Sequence, residues 1–84
     1  MQFVVSHRHG AEECGVAFAA WRGFDSPLRH SSALATCANG AADGDDHMLL
    51  WTVEAGSESA ALAQLPPWLA ERAEARHVEE APIP

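Results

Sequence analysis

The chain has 84 residues, room for one domain, and 48% are hydrophobic against 20% charged, a globular rather than a disordered composition. Its net charge is -7, and the basic residues (Arg8, Arg22, Arg29, Arg72 and Arg76) are scattered along the chain. Affinity for phosphate polymers and anionic lipid rests on clustered cations, so neither nucleic acid nor a membrane is expected as a partner.

No apolar run approaches the ~18 residues that span a bilayer. Met1 to Val5 is too short for the core of a secretion signal, and Ser6-His7-Arg8-His9 ends it. The expectation is a soluble cytoplasmic protein in which Cys14 and Cys37 serve as thiols rather than as a disulfide framework.

Gln2 to His7, with its β-branched and aromatic residues, predicts a first strand. From Ala11 to Trp21 the spacing of Cys14, Ala17, Phe18 and Trp21 marks one face of a helix, with Glu12 and Glu13 in its first turn and Gly23 as its stop. Ser32 to Ala38 reads as a short strand of small residues. Asn39-Gly40 through Asp46 reads as a hairpin connection to His47–Ala55, the strongest strand signal in the chain. Ser57 can cap a helix running to about Leu65. Pro66-Pro67 interrupts it, and Pro67 can open a second segment, Trp68 to Ala75. Val78 to Ile83 is expected to form the last strand, at an edge because of Pro82.

The order β-α-β-β-α-β predicts an α+β fold of the ferredoxin-like type: a four-stranded antiparallel sheet in the order 4-1-3-2 with two helices on one face. In the third strand Met48 and Leu50 lie on one face, and Leu49, Trp51 and Val53 on the other. A sheet covered on one side should alternate apolar with polar, so a second apolar face predicts a cover. The economical cover is the same sheet of a second copy, giving a homodimer; a terminal segment or loop is the other.

Several features carry a resemblance. They are the opening strand Phe3-Val4-Val5, a helix ending near Trp21, Cys37 closing the second strand and Trp51-Thr52-Val53-Glu54 in the third. Trp68 in the second helix and the closing segment Val78 to Pro82 complete the set. In these the chain resembles the dimeric α+β barrel superfamily, and within it the small ferredoxin-like domains of bacteria. That resemblance implies a paired sheet. It admits cofactor-free monooxygenases, lactone isomerases, haem-handling enzymes and proteins without catalysis, so it chooses no reaction.

Two sites are candidates. The predicted topology gathers His7, His9, Cys37 and His47 at one sheet edge, with His77 opening the fourth strand there and His30 at the far end. Imidazole and thiolate suit a transition metal such as Zn, Cu or Fe. If the first strand continues past His7, His9 shares its face; otherwise His9 points to water. Cys14 reaches the same edge but lies on the apolar helix face and reads as a small buried hydrophobe, while His77 beside Arg76 reads as solvated. The second candidate is a small-molecule pocket lined by Trp21, Trp51 and Trp68 with polar groups such as Arg8 or His30. A His there could act as the base of a cofactor-free monooxygenase or isomerase. Core filling is the competing account of the tryptophans.

Overall fold

The computed structural model describes residues 1–31, 33–36 and 47–83, with the backbone alone for His30. Strand β1 (Gln2–His9) leads through a 3₁₀ turn (Ala11–Glu13) into α1 (Cys14–Arg22). A second 3₁₀ turn (Pro27–His30) precedes the short strand β2 (Leu34–Ala35). Then follow β3 (His47–Glu54), α2 (Glu58–Leu62), α3 (Pro67–Ala70) and β4 (Ala73–Val78). The expected hairpin connection and Cys37 lie outside the described residues.

The four strands form one antiparallel sheet in the order β2-β3-β1-β4, the predicted 4-1-3-2 read from the opposite edge. Period-2 alternation sets its two faces. Phe3, Val5, Leu49, Trp51, Val53 and Ala75 point to the buried side and pack with Ala17, Ala61 and Leu69 from the helices and Leu65 from the link between α2 and α3. Burying a side chain such as Phe3 or Leu69 stabilises the fold by about 1.5–3 kcal/mol. On the other face of β3, Met48 and Leu50 are half-buried while Thr52 and Glu54 are exposed. The second apolar face predicted for this strand is therefore confined to its first half, where it meets exposed Leu34 of β2.

Local chemistry explains the helix boundaries. The Ser57 hydroxyl accepts from the Ala60 N–H at 3.1 Å and starts α2, as the sequence predicts. Pro66-Pro67 separates α2 from α3. The sequence predicts helix up to Ala75, but α3 stops at Ala70 and the Arg72 N–H closes a turn onto the Leu69 carbonyl at 3.1 Å. From Ala73 the chain alternates, with Ala73 and Ala75 facing inward and Glu74 and Arg76 outward, and it pairs with β1. The final strand is thus Ala73–Val78 rather than Val78–Ile83. His77 consequently sits opposite Phe3, at the end of the sheet remote from His9 and His47. Among the described residues no helix is long and apolar enough to cross a membrane.

Candidate metal centre

Strand β1 runs two residues further than the sequence predicts. Its ladder with β3 continues to the pair His9↔His47, so His9 lies on the inward face with Phe3, Val5 and His7 instead of pointing to water. His7, His9 and His47 are all buried, His7 completely. Immediately beyond His9 the chain reverses. The Gly10 N–H donates to a Glu13 carboxylate oxygen at 2.9 Å, and the Glu13 N–H donates to the Gly10 carbonyl at 2.9 Å. This tight turn delivers Cys14, the first residue of α1, against the two histidines at the sheet end.

One donor atom from each of His9, Cys14 and His47 lies within 4.8 Å of the others. The Cys14 Sγ is 3.3 Å from His9 Nε2 and 2.9 Å from His47 Nδ1. Zn–S and Zn–N bonds of about 2.3 and 2.0–2.1 Å place such ligand atoms roughly 3.5 Å apart around a tetrahedral ion. The Sγ–His9 Nε2 separation is already near that spacing, and the Sγ–His47 Nδ1 separation has to lengthen by about 0.6 Å to reach it. His47 Nε2 is buried with no hydrogen-bond partner among the described residues. The nitrogen that His47 turns toward the cluster is Nδ1, so the unpartnered Nε2 lies on the other side of its ring.

Behind the cluster stands His7, whose Nδ1 is 2.9 Å from the Leu69 carbonyl and whose Nε2 is 3.0 Å from His9 Nδ1. A carbonyl only accepts, so His7 carries its proton on Nδ1. Burial is the main cause that holds the His7 pKa below its ordinary 6.5, assisted by the nearby His9 and Arg72 and opposed by the bond to Leu69. His9 is lowered too, by burial and then by His47. Both rings are neutral at pH 7, and they stack obliquely with centroids 5.1 Å apart.

The structure regroups the residues singled out in the sequence. His9 and His47 meet as predicted, and His7 lies one hydrogen bond behind them. Cys14, read as a core residue, is instead the thiol of the cluster, because the apolar face of α1 that suggested burial turns it onto the end of β1. Cys37 lies outside the described residues. Among the tryptophans, Trp21 and Trp51 stack with centroids 5.8 Å apart and help line a cleft of about 110 Å³ with Phe18, Leu28 and Leu69. Trp68 is not part of that cleft. Its ring packs 5.8 Å from that of His7 and lies 4.0 Å from the Arg72 guanidinium. Arg8 is exposed on the open face of the sheet, away from the cleft, and His30 ends the turn beside it. Next to His30, Arg29 lines the cleft, but its guanidinium is held by the carbonyls of Trp21, Arg22 and Phe24 at the end of α1.

The chain matches no family model, no curated protein and no solved structure.

Proposed function

We propose that this chain is a small ferredoxin-like protein that binds a transition metal ion through His9, Cys14 and His47 and acts as a homodimeric binding or accessory protein. The observation that carries the reading is the convergence of two buried imidazoles and a thiol, one donor atom of each lying within 4.8 Å of the others. Nitrogen and sulfur donors favour Zn or Cu, then Fe, over Mg or Ca, which take oxygen. Cys37 is proposed as a further ligand on the sequence alone.

Elemental analysis of protein purified after growth in Zn or Cu tests this directly. About one ion per chain is expected, falling to background in Cys14→Ala and His47→Ala. Wild-type protein that stays metal-free after refolding with Zn²⁺ or Cu²⁺ under reducing conditions would end the proposal. Cys37→Ala in the same series separates three-residue from four-residue coordination.

The Trp21–Trp51 cleft supports an enzyme less well. A cofactor-free monooxygenase or isomerase needs a base at its substrate, and among the described lining residues the polar groups are Ser31 and Arg29, the latter a permanent cation held by three carbonyls. The cleft fits the binding of a small apolar molecule better than a reaction.

A further inference from the structure

We infer that His7 is a positioning residue of the metal centre, holding His9 in the tautomer whose Nε2 lone pair faces the Cys14 sulfur. This rests on the metal reading above and adds a residue that touches no ion. Three observations carry it. The Leu69 carbonyl fixes the His7 proton on Nδ1 at 2.9 Å, leaving Nε2 as an acceptor. That acceptor is 3.0 Å from His9 Nδ1, which must therefore hold the His9 proton. His9 Nε2 is then bare, and it lies 3.3 Å from Sγ.

A free imidazole in water favours neither ring nitrogen strongly and rotates about two side-chain bonds. Here the backbone of α3 sets both the protonation site and the ring plane of His9 through one intervening side chain. His7 has no exposed surface, and Trp68 packs on its ring, so the relay is shielded from competing water. Outer-sphere partners of this kind typically change metal affinity 10–100-fold. The Leu69 side chain is itself core, so the carbonyl that starts the relay is fixed by packing.

The test combines a spectroscopic signature with a binding series. Long-range ¹⁵N–¹H correlation spectra of the metal-free wild-type protein should show His7 and His9 both protonated at Nδ1. Co²⁺ and Zn²⁺ titrations should then show His7→Phe binding 10–100-fold more weakly than wild type. His7→Gln, which keeps a donor for Leu69 and an acceptor for His9, should recover part of that loss. His9 protonated at Nε2 in the wild type overturns the inference without any variant. So does His7→Phe binding within twofold of wild type while His9→Ala abolishes binding. Should His7→Phe not fold, His7→Gln and the wild-type spectra still decide the matter. No Co²⁺ or Zn²⁺ binding by wild type removes the metal reading and with it the role of His7 in a metal centre, whereas a wrong His9 tautomer overturns the role of His7 alone, because those spectra do not depend on metal.

Discussion

His47 shows how a binding residue can cost the metal-free protein. Its Nε2 is buried without a partner among the described residues, and an unsatisfied buried polar atom typically costs about 1–3 kcal/mol. Replacement by Phe removes that atom and keeps a ring, so His47→Phe should leave metal-free stability equal or raise it by about 1 kcal/mol. The same change should abolish the stabilisation by added Zn²⁺; urea denaturation with and without Zn²⁺ reads both, and a Zn²⁺-dependent gain that survives would contradict the assignment. His7 and His9 predict the acid response. Their folded pKa values lie below 6.5, so the unfolded chain binds more protons between the folded value and 6.5. Stability of the metal-free protein should be full above about pH 6.5 and fall as pH drops through the folded values. A urea midpoint that rises between pH 7.5 and pH 5 would show that these rings are not buried neutral.

The elements explain why the cluster was only partly legible in the sequence. Phe3, Val5, His7 and His9 continue one strict alternation, yet counting His as polar hides it, and no local propensity says where a strand stops; the ladder to His47 decides that. Cys14 carries the same lesson in reverse, because apolar spacing on α1 gives a face without saying which neighbour it meets. The sheet order followed from connection rules, and β1, β3 and the Ser57 cap followed from residue types. The boundary between α3 and β4 did not follow, because Ala-Glu-Ala-Arg has helix-forming composition and only pairing with β1 makes it a strand. Loop anchoring depends on single groups. Buried Ser26 donates to the Gln64 carbonyl at 2.6 Å and accepts from the Leu28 N–H at 3.0 Å, joining the turn after α1 to the end of α2. Ser26→Ala leaves both partners unmet and should cost about 1–3 kcal/mol, read as a lower thermal midpoint. An unchanged midpoint would mean that water replaces the hydroxyl.

At the scale of the whole molecule, the open sheet face is the proposed subunit contact. Val4, Met48 and Leu50 are half-buried there, and Leu34 is 71% exposed at the β2 edge. Leu50→Asp should convert a dimer to a monomer in sedimentation experiments at micromolar concentration, with the metal content of each chain unchanged. A wild-type monomer at that concentration would remove the dimer and leave the metal centre standing. The position of Cys14 and His47 along the chain has a separate consequence. They are 33 residues apart in sequence, so one ion held by both would close a loop of that length in any partly unfolded chain that kept it bound. By the chain-entropy relation for cross-links, such a closure removes about 4 kcal/mol of disorder from the unfolded ensemble. For a domain with so small a core, the ion would then act as a reversible cross-link, and chelation should make unfolding faster as well as more favourable.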